Sequence, residues 1–197
     1  MGFAHQNLHQ YDLALTYHSR ALTLRQSQSD IDQELVASNL CGIANAYWGQ
    51  GSLSEALVYA QQSLKINESI KSGNDANIAA NLAILANIYH HSGDDIRALE
   101  LDKRALTMFE RCTSSNCFGL VSVLNNIGAI QVSAGLFKDA LLTFIRVSHI
   151  CREYLPEHHP KRLTINQNVH RIASMQRVDI MHSFSHFWTF LSKIAIV

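Results

Sequence analysis

The chain has 197 residues, 47% hydrophobic and 16% charged, which is a globular composition and excludes a disordered one. Lys and Arg balance Asp and Glu, so the net charge of zero gives no footprint for nucleic acid or an anionic membrane. Pro156 and Pro160 are the only prolines, which leaves the rest of the chain free to be helical.

The N-terminal MGFAHQNLHQYD has neither a basic nor an apolar leader region, so no secretory signal is expected. Cys41, Cys112, Cys117 and Cys151 are too sparse for a disulfide framework, and a reducing, cytoplasmic setting is expected. No run of eighteen apolar residues occurs, so no membrane span is expected.

In chain order, one helical pattern returns at a fixed spacing. Ala14, Ala56, Ala98 and Ala140 lie 42 residues apart, followed by Leu15, Leu57, Leu99 and Leu141. Gly51, Gly93 and Gly135 sit five residues ahead of the last three alanines. Ahead of each glycine runs a second helical pattern: NLCGIANAY (39–47), NLAILANIY (81–89) and VLNNIGAIQ (123–131). Leu40, Ile43 and Tyr47 fall at i, i+3 and i+7, as do Leu82, Leu85 and Tyr89, which is one helical face. Ala44, Ala86 and Gly128 recur where a neighbouring helix would come close.

Each unit therefore reads as helix A, a short glycine turn and an antiparallel helix B. Ser52-Leu-Ser-Glu55 has capping-box spacing, so the Ser52 hydroxyl is expected to cap helix B. Polar breakers follow helix B at 26–30, 71–75, 113–116 and 156–160. A lone pair cannot bury its apolar face, whereas equally spaced pairs stack and bury it between them.

These residues resemble the tetratricopeptide repeat. The family's helix A pattern is matched by Leu40, Ile43, Ala44 and Tyr47 and by Leu82, Leu85, Ala86 and Tyr89. Its turn glycine and helix B alanine are matched by Gly51 and Ala56, Gly93 and Ala98, and Gly135 and Ala140. The period is 42 instead of the common 34, which resembles the kinesin light chain class, as do LNNIGAI (124–130) and PEHHP (156–160). The resemblance implies an all-α fold, a right-handed solenoid of antiparallel helix pairs.

The array would span 1–177: a half unit at 1–33, full units at 34–76, 77–118 and 119–160, and a partial unit at 161–177. The sequence also departs from the family. The helix B aromatic is present as Phe144 but replaced by His18, Ala60 and Asp102, and Gln131 replaces a helix A tyrosine. The first unit lacks a helix A, which would leave the face of Leu13, Leu15, Tyr17, Leu22 and Leu24 partly uncovered. That suggests a piece of a longer array and a route to self-association. Residues 178–197 carry an amphipathic pattern, with Phe184, Phe187, Trp188, Leu191, Ile194 and Ala195 on one face. It reads as a capping helix, a membrane-surface or partner helix, or an aberrant tail.

The resemblance implies that an extended peptide binds a concave surface lined by helix A. Asn45 and Asn87 occupy equivalent places there, with Asn125 and Gln167 a turn away on later units. Asn both donates and accepts, which suits a peptide backbone. The alternative is that Asn39, Asn45, Asn81 and Asn87 cap or bond between helices. Trp48 either contacts the peptide or packs between units, and His91 and Arg171 complete the candidate set. A clamp for a C-terminal carboxylate is not expected. Cys41, Ala83 and Asn125 stand where lysines would be needed, and Arg171 is the only comparable cation.

His182 and His186 lie at i, i+4 without a third ligand, and Cys112 and Cys117 have no second pair, so neither set suggests a metal. No phosphate loop, nucleophile elbow or paired carboxylates appear, so neither an enzyme nor a cofactor is expected. Aromatic residues recur at core spacing with no basic clusters between them, and nucleic acid is not expected as a partner. The sequence therefore points to a non-catalytic scaffold or adaptor that binds a protein or peptide segment. The alternative is a fragment of a multidomain protein in which the array accompanies an enzymatic or signalling domain.

Overall fold

The structure is a computed structural model that describes residues 10–27, 30–70, 75–111, 117–160 and 162–175. The 178–197 segment, the histidines at 182 and 186 and the Cys112 and Cys117 side chains lie outside the described residues. Among the described residues the chain is all-helical: α1 (Tyr11–Gln26), α2 (Gln33–Gly49), α3 (Leu53–Ser69), α4 (Asp75–His91), α5 (Asp95–Arg111), α6 (Cys117–Ser133), α7 (Phe137–Tyr154) and α8 (162–175). Helices A begin at 33, 75 and 117 and helices B at 11, 53, 95 and 137, so the 42-residue spacing is kept throughout. None of the described helices is long and apolar enough to cross a membrane.

The chain forms two compact units, Met1–Val123 and Leu124–Val197, with the division inside α6. In the first unit each helix packs on the next, and α2 also touches α4 directly. The helix B α3 is thus held between its own helix A, α2, and the next one, α4.

The repeating alanines explain the spacing. Ala14, Ala56, Ala98 and Ala140 are all 0% exposed. A longer side chain there would push the helices of a pair apart, and overpacking of this kind costs about 1–3 kcal/mol. Ala44, Ala56 and Ala60 lie with Ile84, Leu85 and Ile88 in one core cluster, against which Tyr47, Trp48, Leu57 and Tyr59 pack. Burying each large aliphatic side chain there contributes about 1.5–3 kcal/mol.

The sites that depart from the family are filled by paired changes in volume. His18 stands one period before Ala60. Its ring occupies the space beside Gly42, where an added Cβ would lie 2.5 Å from ring atoms. At the equivalent place small Ala60 meets large Ile84 in the core cluster. In the second unit Phe144 fills the space beside Gly128 and forms a core with Ala140 and Ile172.

Gln131 has a matching explanation. In the first unit Tyr47 stacks on Tyr59 at 5.5 Å with planes 12° apart. At the equivalent pair in the second unit, the Thr143 hydroxyl donates to Gln131 Oε1 at 2.8 Å. A ring stack in one pair is replaced by a hydrogen bond in the other.

The three A–B turns are alike. Gly51, Gly93 and Gly135 have φ of 80°, 83° and 74°. The amides of Ser52, Asp94 and Leu136 bond back to the carbonyls of Tyr47, Tyr89 and Gln131 at 2.9, 2.9 and 2.8 Å. This is a Schellman-type ending, in which the left-handed residue lets the next amide satisfy an orphan carbonyl. The expected Ser52 cap is corrected here. Ser52 precedes α3, but with ψ at 72° instead of the extended value its hydroxyl makes no capping bond. Carboxylates cap elsewhere: Asp32 accepts from the Glu34 and Leu35 amides, and Asp94 accepts from the Arg97 amide.

His18 is the buried titratable group of the first pair. Asn39 gives its amide hydrogens to the Leu35 carbonyl at 2.7 Å, so its oxygen faces His18 Nδ1 at 3.3 Å and the ring carries its hydrogen on Nδ1. Burial lowers the pKa of His18 below 6.5, partly offset by the bond to Asn39.

Two outcomes follow. At Gly93 an added Cβ meets nothing within 4 Å, so Gly93→Ala tests the positive φ alone. Chemical denaturation should show a loss of about 1–2 kcal/mol, and Gly93→Asn should lose less. The second concerns acid. With a folded pKa below the unfolded 6.5, the unfolded chain takes the proton first as pH falls. The contribution of neutral His18 is therefore full above pH 6.5 and declines from there through the folded pKa. Thermal melts from pH 7.5 to 5 should fall more steeply for the native chain than for His18→Gln, which keeps a polar partner for Asn39 without titrating.

Candidate functional site

In the first unit, helices α2 and α4 present adjoining faces. Glu34, Ser38, Cys41, Asn45 and Trp48 recur at i, i+4, i+7, i+11 and i+14, which is a single stripe along α2. Asn77, Ala80, Asn87 and His91 form the corresponding stripe on α4. Two polar bridges tie these stripes together, one near each end. Asn77 Nδ2 donates to Glu34 Oε1 at 2.8 Å, and Trp48 Nε1 lies 3.4 Å from His91 Nδ1. Fourteen residues at a helical rise of 1.5 Å put these bridges about 21 Å apart along α2.

Asn45 and Asn87 stand between the bridges, at equivalent positions on the two touching helices. Both are half-buried, and neither carboxamide makes a hydrogen bond among the described residues. The core asparagines behave differently. Asn39 is committed to His18 and the Leu35 carbonyl, and Asn81 donates to the Asn77 carbonyl at 3.1 Å. The four asparagines therefore separate into two inward, structural ones and two turned to the open face.

Trp48 packs on the core cluster and meets His91 edge to face, with ring centroids 5.2 Å apart and planes at 89°. His91 Nδ1 also lies 2.9 Å from the Asn87 carbonyl oxygen. That nitrogen must be bare to accept from the indole and must carry hydrogen to donate to the carbonyl, so the two bonds are alternatives. In one tautomer the indole N–H has its acceptor; in the other it does not.

The far end of α4 is more heavily paired. His90 Nδ1 lies 2.5 Å from Asp95 Oδ1, and Arg97 bonds Asp94 at 3.2 Å. The Arg97 guanidinium also sits over the Tyr89 ring, 5.6 Å from its centroid. Cys41, which the sequence reading set aside, lies half-buried in the α2 stripe. Desolvation pushes its thiol up to about 12, so it stays protonated and uncharged at neutral pH.

The remaining candidates belong to the second unit. Asn125 on α6 is half-buried, and Gln167 and Arg171 on α8 are exposed. Among the described residues no group of three or more His, Cys, Asp or Glu is placed to hold a metal ion. The Glu34–Asn77 bridge and the place of Ser38 were not part of the sequence reading. The stripe spacing of Glu34 and Ser38 with Asn45 and Trp48 is the sequence signal for both.

Residues 1–69 match the family model for the tetratricopeptide repeat. Among curated proteins no sequence matches the chain. Among solved structures, BtubC (BKLC) from P. vanneervenii is similar at 21% identity, with a TM-score of 0.72 over 89% of this chain and 70% of that one. A putative kinesin light chain from Podosopora anserina with nearly identical TPR-like repeats is similar at 17% identity, with a TM-score of 0.65 over 98% of this chain and 92% of that one. A second crystal structure of that protein gives 17% and 0.67 over 100% and 93%. These likenesses are of fold. Such folds commonly serve as protein-interaction scaffolds.

The Cys41 environment gives a measurable outcome. Burial pushes its folded pKa to about 12, above the 9.0 of an unperturbed thiol, so stability from the neutral thiol is full below pH 9 and is lost as pH rises towards 12. At pH 8 in native buffer, peptide mapping should show slow alkylation of Cys41 by iodoacetamide, and denaturant should restore the rate of an ordinary thiol.

Proposed function

We propose that the protein is a non-catalytic protein-interaction scaffold that takes an extended peptide segment on the helix A face of α2 and α4. The observation that carries this reading is the pair of half-buried carboxamides, Asn45 and Asn87, with no partner among the described residues. Both carboxamides are free to bond outside the fold, and an incoming backbone supplies both an acceptor and a donor for them. Trp48 would cover the peptide at one end of the face, and its indole N–H becomes available when His91 turns its Nδ1 hydrogen to the Asn87 carbonyl. Asn125, Gln167 and Arg171 are the second unit's counterparts in this reading. The likeness to kinesin-light-chain-type repeats suggests cargo adaptation as the specific form of scaffold.

The test is selection from a displayed library of random peptides, with the Asn45→Ala/Asn87→Ala double variant run in parallel. Two neutral hydrogen bonds contribute about 1–3 kcal/mol together, so selected peptides should bind the double variant at least roughly tenfold more weakly. The melting temperature should change little, because neither side chain bonds within the described fold. Equal binding by both proteins, or collapse of the variant's fold, would count against the reading.

A further inference from the structure

The charges of this protein are sorted by helix. Neither α2 nor α4 contains a Lys or Arg, and α6 contains no Asp, Glu, Lys or Arg at all. Among the described residues the cations of the first unit sit on the other helices: Arg20 and Arg25 on α1, Lys65 on α3, and Arg97, Lys103, Arg104 and Arg111 on α5; Lys71, four residues ahead of α4, lies outside the described residues. Of these, Arg97, next to the end of α4, is held by Asp94 and Tyr89.

What charge the α2–α4 face does have is negative. Glu34, at the start of the α2 stripe, is exposed and accepts from Asn77 Nδ2. The middle of the face holds Ser38, Cys41, Asn45, Ala80, Ala83 and Asn87, all uncharged, and the Cys41 thiol stays protonated at neutral pH. A carboxylate laid on the middle of this face would lose hydration, find no Lys or Arg on either helix and meet like charge at Glu34. A burial of this kind is strongly disfavoured. A backbone flanked by neutral or basic side chains meets none of these penalties.

Resting on the peptide-binding reading above, we infer that the face selects an extended segment that carries no Asp or Glu. The carboxamides read the backbone, and a stripe whose only charge is Glu34 rejects acidic sequences. The face thus discriminates by exclusion, with no matching cation needed on the protein.

The experiment uses the full chain and an array of random twelve-residue peptides scored by net charge, probed in parallel with Asn45→Ala/Asn87→Ala and Ser38→Lys. Ser38 is exposed, so a lysine there adds a cation to the stripe without disturbing the core. Peptides whose binding depends on Asn45 and Asn87 should be depleted in Asp and Glu. Replacing one central neutral residue of such a peptide by Glu should weaken binding roughly tenfold, and Ser38→Lys should recover most of that loss. Asn-dependent binding that favours acidic peptides, or is indifferent to charge, would overturn the inference and leave the peptide-binding reading standing. Absence of any Asn-dependent binding would overturn both.

Discussion

Everything in this fold depends on how closely the two helices of a pair can approach. That distance is set by a buried alanine in each helix B, Ala14, Ala56, Ala98 or Ala140, all without exposed surface. Once the pair is close, the connection must reverse direction within three residues. The glycine at positive φ does this while its neighbour's amide satisfies a carbonyl of the helix just ended. Alanine and glycine are thus two halves of one constraint. The alanine lets the helices meet, and the glycine lets the chain return quickly enough for them to do so.

Given that frame, the remaining core positions are free to vary as long as volumes match. His18 with Gly42 and Ala60 with Ile84 fill equivalent space with opposite divisions of bulk. The Tyr47–Tyr59 stack and the Gln131–Thr143 hydrogen bond occupy equivalent places with different chemistry. This is the behaviour of a close-packed interior, which tolerates exchange when total volume is kept. It also shows why departures from a repeat pattern need not break the repeat.

The helix pairs were legible in the sequence because the glycines and alanines that build them act locally and recur in phase. The helix starts at 33, 75 and 117 follow directly from that period. What was not legible depends on contacts between residues far apart in the chain. Capping-box spacing at Ser52 could not reveal that the preceding turn would give ψ a value unsuited to capping. The choice between inward and outward asparagines was also hidden. Asn39 and Asn45 differ by six residues, about 120° apart around a helix, yet which side faced a partner depended on where His18 would stand. The Trp48–His91 and Glu34–Asn77 bridges join residues one place out of the exact period, so a search for strict equivalence passes over them.

The same sorting explains how a repeat fold can carry a surface distinct from its core. The helix B α3 lies between two helices A, and the exposed side of α5, where charge is stable, holds both acids and bases: Glu100 and Glu110 with Arg97, Lys103 and Arg104. Helix A has two duties: its apolar face closes the core, and its opposite stripe adjoins the stripe of the next helix A. On that stripe a charge would lie half-buried beside its neighbour's equivalent, a like-charge contact repeated at each period. Neutral residues remove this repulsion between stacked pairs and leave carboxamides whose hydrogen bonds the fold does not use. A requirement of stacking thereby leaves the α2–α4 face with neutral side chains at its middle, Asn45 and Asn87 among them.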